Sequence, residues 1–272
     1  MRDVTEPISW GDPAIDLVLP RPILPSMLLV EQERKEFQGV LLRMVADELA
    51  AGRPVHWIDG GMGFDPSPLL PLLKMRGYHD RSALRRFHIC RGFTAHQTAS
   101  IIERLAREAC SEDTPKRIAA GRLIIASDLP RMFMDTQLKA AEGRSLLRAT
   151  LQQCRKLCGA SSSLMLISSR RYSSPPLSRD MSLILKQEVD DALRLSGAGR
   201  GRRGINSMRL HLDSLDRGMV WARLPLGQTS LLEFRQTHAS RVDCCFEPPA
   251  TRSSLQPKGE SRAVAARTAS EV

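Results

Sequence analysis

Long hydrophobic runs are missing from this chain. Its apolar stretches reach only a handful of residues, as in Leu123-Ile124-Ile125-Ala126, so no transmembrane helix and no membrane partner are expected. The opening residues, Met1-Arg2-Asp3-Val4-Thr5-Glu6, lack the apolar core of a secretory signal, which leaves the cytoplasm as the expected compartment. Cysteine is sparse. Six residues (Cys90, Cys110, Cys154, Cys158, Cys244 and Cys245) fit no disulfide framework in an intracellular chain of 272 residues. Cys154 and Cys158 stand four apart on an expected helix and, with Cys244 and Cys245, would be one way to hold a metal. They also continue the apolar series Leu147, Leu151, Cys154, Cys158, and buried thiols are common in cores, so packing is the expectation and no metal site is assigned. No internal repeat occurs.

What is present is an ordinary globular composition with an unusual charge. The hydrophobic fraction is 42% and the mean hydropathy −0.24, and the length suits one large α/β domain with a tail, or two small domains. Net charge is +10, and 33 of the 40 basic residues are arginine. That preference suits phosphate recognition, or reflects a biased genome; the charge makes nucleic acid a natural partner without proving one. The excess is uneven: residues 170–209 hold nine Arg/Lys against four Asp/Glu.

Read in order, residues 1–27 are proline-rich, with one helical turn expected around residues 10–19, covering a sheet edge. A buried strand over Met27–Val30 passes through a polar bend into a helix carrying Phe37, Leu41, Met44, Val45 and Leu49 on one side, closed by Gly52. Further strands are expected over 55–59, 86–90, 123–128 and 163–168. Helices are expected over 66–75, from a Thr94 cap to Cys110, and over 138–158. Strand and helix alternating at this spacing imply parallel crossovers and a doubly wound, mostly parallel α/β sheet. Residues 206–211 and 219–224 suggest a C-terminal β-hairpin around Asp216-Arg217-Gly218, and 230–234 a last strand. From 247 to 272, proline, serine and mixed charges without apolar periodicity indicate a disordered tail behind a core domain of 1–246.

Three segments carry a family resemblance. They are Ile58-Asp59 followed by Phe64-Asp65-Pro66-Ser67-Pro68-Leu69, then Arg91-Gly92-Phe93-Thr94-Ala95-His96-Gln97, then Leu123 to Asp128. In that order and spacing the chain resembles the ATPase core of the RecA/RadA strand-exchange recombinases and their paralogues, over roughly residues 8–235. The resemblance implies a RecA-like P-loop NTPase core. It also implies where the catalytic parts should lie, and most are altered. A phosphate loop needs G-x-x-x-x-G-K-[ST]. Here Glu31 and Glu36 fall at the glycine positions, Phe37 at the lysine and Gln38 at the Ser/Thr, and no shift of register recovers the motif. Glu31, Glu33 and Glu36 would place carboxylates where a helix N-terminus otherwise favours anions, with Arg34 and Lys35 offsetting them only partly. Gly61 stands where the family has the glutamate that polarises water, and the sensor strand ends in Ser168-Ser169. Asp128 remains at the Walker B position. With Asp59 it is the remnant of a nucleotide site, and a structural role is favoured for both. The turn Gly60-Gly61-Met62-Gly63 lacks a lysine and reads as a tight βα turn.

The family's DNA-binding loops follow the Walker B and sensor strands. After the second come Arg170, Arg171 and then Arg200, Arg202 and Arg203 among glycines, a pattern suited to phosphate contact without base readout; a solvated basic loop is the plain alternative. No F-x-x-A motif occurs at any of the seven phenylalanines, and no N-terminal helical DNA-binding domain is expected. The resemblance therefore implies a non-catalytic paralogue that needs no cofactor, binds single- or double-stranded DNA without sequence preference, and works with a RecA/RadA-family partner in recombination or repair. Two alternatives stay open. One is a divergent DNA-dependent ATPase, which would need ATP and magnesium. The other is a regulatory interaction module of the same fold that does not act on DNA.

Overall fold

Short β-branched and leucine-rich runs, too brief for helices, become the buried strands of one sheet, and the amphipathic segments between them cover its two faces. The computed structural model describes residues 7–33, 37–78, 81–111, 122–170, 176–200, 206–215 and 217–222. All of these fall within the unit Met1–Glu233. The strand expected over 230–234 and the tail from 247 lie outside the described residues.

In chain order the elements are the helical turn α1 (Pro13–Asp16), β1 (Ser26–Gln32), α2 (Gln38–Ala50), β2 (Val55–Asp59), α3 (Leu69–Met75), β3 (Phe87–Arg91), α4 (Ala95–Cys110), β4 (Leu123–Ser127), α5 (Pro130–Phe133), α6 (Ala140–Ser161), β5 (Leu164–Arg170), α7 (Pro176–Glu188), β6 (Asp191–Arg200), β7 (Asn206–Leu212) and β8 (Arg217–Ala222). The strands form an eight-stranded sheet in the order β3-β2-β4-β5-β1-β6-β7-β8. Strands β1 to β6 run parallel, and β7 and β8 close one side antiparallel. The chain is thus α/β with a mostly parallel sheet. No described helix is long and apolar enough to cross a membrane.

Side chains alternate across a strand, so each central strand feeds two cores. Leu28, Val30, Val55, Trp57, Leu123, Ile125, Leu164 and Leu166 point to the side covered by α2 and α3. Leu29, Ile58, Ile124, Ala126, Met165 and Ile167 point to the side covered by α4, α5, α6 and α7. Helix α2 is buried on more than the expected side: Val40, Leu42 and Arg43 are covered as well. The proline-rich N-terminal segment does this. Gly11, at a left-handed φ of +69°, lies so close that a Cβ there would sit 2.7 Å from Met44 N. Next to it Asp12 receives Arg43 at 3.4 Å and Trp221 Nε1 of edge strand β8 at 3.1 Å. The expected helical turn is therefore present and does reach a sheet edge. Thr94 caps α4, accepting from Gln97 N at 3.2 Å, and Cys154 and Cys158 pack in the core, as their apolar series indicated.

Several expectations shift. The first strand continues two residues past Val30, through Glu31 and Gln32. The basic stretch after residue 170 is not mainly loop: it holds α7, whose Met181, Ile184 and Leu185 are buried, and the long strand β6. The antiparallel hairpin forms, but Arg217 and Gly218 belong to β8, and a 3-10 turn over Asp213–Leu215 precedes them.

Candidate functional site

Strands β1 and β5 are neighbours, yet the helices that follow them cover opposite faces, α2 on one and α7 on the other. Such a reversal opens a crevice at the carboxyl ends of the strands, the usual place for a ligand in an open α/β sheet. Here the crevice is bounded by Gln32, Asp59, Ser127, Asp128, Ser168 and Arg170 at the strand ends, and by Gln38 and Leu41 on α2. It encloses a cavity of only about 30 Å³. By that measure about 10–15 Å³ holds one water, whereas small-molecule pockets run to about 300 Å³ or more.

Beside the crevice, the chain's own side chains close the start of α2. Phe37, at the position the resemblance gives to the phosphate-loop lysine, is fully buried. It packs edge-on between Trp10 and Trp221, with centroids at 6.1 and 6.4 Å. Its backbone N–H donates to Gln32 Oε1 at 2.9 Å, which closes the start of α2 from the strand side. Gln38, at the hydroxyl position, lies in the first turn of α2 and borders the crevice.

Glu31 is elsewhere. Because β1 runs on through it, alternation sends its carboxylate to the opposite face from Val30 and Gln32. There it accepts from Ser182 Oγ at 2.9 Å and pairs with Lys186 Nζ at 3.1 Å, both on α7, while Arg194 of β6 stands at 3.9 Å. The expectation that Glu31 guards a phosphate loop is corrected by that one-strand extension. Glu36 lies outside the described residues.

Asp59 and Asp128 end adjacent strands. Asp59 is buried, accepts from Phe64 N at 3.2 Å and pairs with Arg91 Nε at 3.1 Å, so it fixes the turn that follows β2. That turn must be glycine-rich because β4 crowds it. A Cβ on Gly60 would meet Ser127 O at 3.1 Å, and one on Gly61 would meet Asp128 Cβ at 3.0 Å. Asp128 adopts a left-handed backbone (φ 51°) just beyond β4, and its N–H donates to Ser168 Oγ at 2.9 Å. Its Oδ2 accepts from Arg170 Nε at 2.7 Å and also from the Arg170 terminal guanidinium nitrogen Nη2. Both carboxylates are thus held by arginines from neighbouring strands, the structural role favoured for them from the sequence.

The same pair turns the Arg170 guanidinium in toward Asp128, with the side chain 29% exposed. Strand β5 does not stop at Ser168-Ser169 but continues to Arg170, opposite Gln32. Arg200 closes β6, with its backbone in register with Asn206 of β7. Arg171, Arg202 and Arg203 lie outside the described residues. Sequence reasoning missed Gln32, Ser127 and the inward turn of Arg170. Strand parity was the available signal: Gln32 follows Leu28 and Val30, and Arg170 follows Leu164, Leu166 and Ser168, all on the α2 side.

Neither a protein-family model nor any curated protein sequence matches the chain.

Proposed function

We propose that this protein is a non-catalytic RecA/RadA-like paralogue that assists DNA recombination or repair by binding DNA, a recombinase partner, or both. The observation that carries the reading is Phe37. A residue buried between two tryptophans at the start of α2 leaves no place for the charged group that a phosphate loop requires. The mostly parallel sheet, with the phosphate-loop strand β1 central and β5 between it and β4, is compatible with a RecA-like core. On this reading the fold is kept for its surfaces, and ATP chemistry belongs to the partner.

The DNA-facing element in this proposal is the segment between β6 and β7, whose sequence sets Arg200, Arg202 and Arg203 among glycines. Such contacts are made to phosphates, so binding is weak, salt-sensitive and indifferent to sequence. The test is a titration of single-stranded DNA over a range of salt concentrations, for the wild type and for a variant with all three arginines changed to glutamine. Each lost phosphate contact lowers the slope of log affinity against log salt by about 0.7 for a single strand. A flat response, or equal binding by the two proteins, overturns the DNA assignment. ATP turnover that exceeds background and vanishes in Asp128→Ala overturns the non-catalytic assignment.

A further inference from the structure

We infer that the groove between edge strand β3 and helix α4 binds single-stranded nucleic acid, with the Phe93 ring stacking on a base and Arg104 and Arg107 meeting phosphates. The inference rests on the reading above for DNA as the ligand. It places that ligand on a different surface, at the far end of the sheet from β6, β7 and β8.

The groove encloses about 670 Å³, a volume in the range of ligand sites. Arg91 at the end of β3, Phe93 in the turn after it, and Gln97, Ser100, Arg104 and Arg107 of α4 bound it, and no carboxylate among the described residues does. The α4 residues recur at intervals of three and four, so they share one face of the helix, while Thr98, Ile102, Leu105 and Ala106 turn into the core. Residues 81–110, which build this edge, hold six arginines against two glutamates and contain neither lysine nor aspartate. Arginine is the cation whose planar fork matches a phosphate. Arg91 is committed to Asp59 at 3.1 Å, which leaves the contacts to α4. Arg104 and Arg107 stand 3.9 Å from Glu108 and 3.5 Å from Glu103 on the same helix, with side chains 62% and 74% exposed. Pairs so exposed are weak, and a phosphate displaces them at little cost.

Phe93 supplies the second half of the site. It is 64% exposed and belongs to neither core. Its backbone is nonetheless fixed: the Phe93 N–H donates to Gln97 Oε1 at 2.9 Å, and Gln97 N donates to Thr94 Oγ1 at 3.2 Å. Gly92, just before it, lies against α4, where a Cβ would fall 2.8 Å from Thr98 N. An apolar ring held out in water gains free energy when its face is covered. An unpaired base provides that cover, and stacking accepts any base, whereas the bases of a duplex are already stacked on one another. Arginines beside a fixed, exposed aromatic ring are the combination that holds a single strand without regard to its sequence.

The experiment titrates the full chain with an oligothymidylate of about 12 nucleotides and reads fluorescence anisotropy over a range of salt. Phe93→Ala is expected to weaken binding about tenfold at fixed salt and to leave the salt slope unchanged. Arg104→Gln combined with Arg107→Gln is expected to lower the slope by about 1.4. All three side chains are exposed, so thermal melting should match the wild type. Phe93→Trp keeps a stacking ring, and because Trp10, Trp57 and Trp221 are buried, the new indole reports separately. Its emission should be quenched by the oligonucleotide and not by polyglutamate. Equal quenching by polyglutamate would assign the groove to an acidic protein segment and overturn the inference, as would unchanged binding by either groove variant. The variant with Arg200, Arg202 and Arg203 changed to glutamine separates the two surfaces. Binding lost only there overturns this inference and leaves the functional reading, and binding lost only in the groove variants overturns the β6–β7 assignment and leaves this one. A wild type that binds no oligonucleotide overturns both.

Discussion

The Cβ that any residue but glycine would carry at position 61 falls 3.0 Å from Asp128 Cβ and 3.2 Å from Asp128 Oδ2. Any side chain at position 61 would therefore crowd the aspartate at the end of the neighbouring strand. Gly61→Glu should destabilise the fold by about 2 kcal/mol, from overpacking and from two carboxylates meeting in a covered crevice. It should also leave ATP turnover at background. Urea denaturation and a phosphate-release assay read the two effects.

Phe37 offers a second test of the proposed reading. Phe37→Ala removes a buried ring and should cost about 3–5 kcal/mol. Phe37→Lys puts an unpaired ammonium between Trp10 and Trp221 and should cost at least as much, without gain in nucleotide affinity. Denaturation midpoints, with a nucleotide titration on any variant that folds, check both. Stable folding with tight ATP binding by Phe37→Lys would contradict the burial argument.

His56 makes stability depend on pH in a definite direction. It is buried on β2, stacks on His88 at 4.9 Å, and neither ring nitrogen has a hydrogen-bond partner. Burial, and secondarily the charge of His88, lower its pKa from 6.5 to about 4. The unfolded chain therefore takes a proton at this residue between those two values while the folded chain does not. Stability is full above about pH 6.5 and is lost as the pH falls toward 4, by about 3 kcal/mol over the whole interval. His56→Leu should flatten the urea midpoint between pH 6.5 and 5, where carboxylates still contribute little.

The thiols should separate by burial. Burial pushes Cys158 up to about 12 and Cys154 higher still, whereas Cys110 is exposed at the end of α4. Thiolate is the reactive form. A thiol reagent at mildly alkaline pH should therefore label Cys110 before the other two, and reach Cys154 and Cys158 only with denaturant. Peptide mapping by mass spectrometry reads the order; early labelling of Cys154 would contradict its place on the buried face of α6.

The layer architecture was legible because its signals are local. Leu123-Ile124-Ile125-Ala126 between polar residues is a strand buried on both faces, and Thr94 opens α4 with its own hydroxyl. Helix α7 was legible too, through Met181, Ile184 and Leu185 at helical spacing, but the arginines around it drew the reading toward a loop. In the crevice, Asp59 and Asp128 were found because a carboxylate at the end of an apolar run is conspicuous. Gln32 and the inward turn of Arg170 were not, because each depends on a strand running two residues further than its apolar part.

What the sequence determined by itself, then, is the alternation of strands and helices up to β5 and the α/β class with its mostly parallel sheet, carried by periodicity and by residue type. The tertiary structure decided the rest. Extending β1 through Glu31 sent that carboxylate across the sheet to Lys186, since strand side chains change face at every residue. Placing β5 beside β4 brought together Arg170 and Asp128, 42 residues apart in the chain. No local pattern records such a pairing, because the energy that selects it arises only when both charges are taken from water in the same crevice.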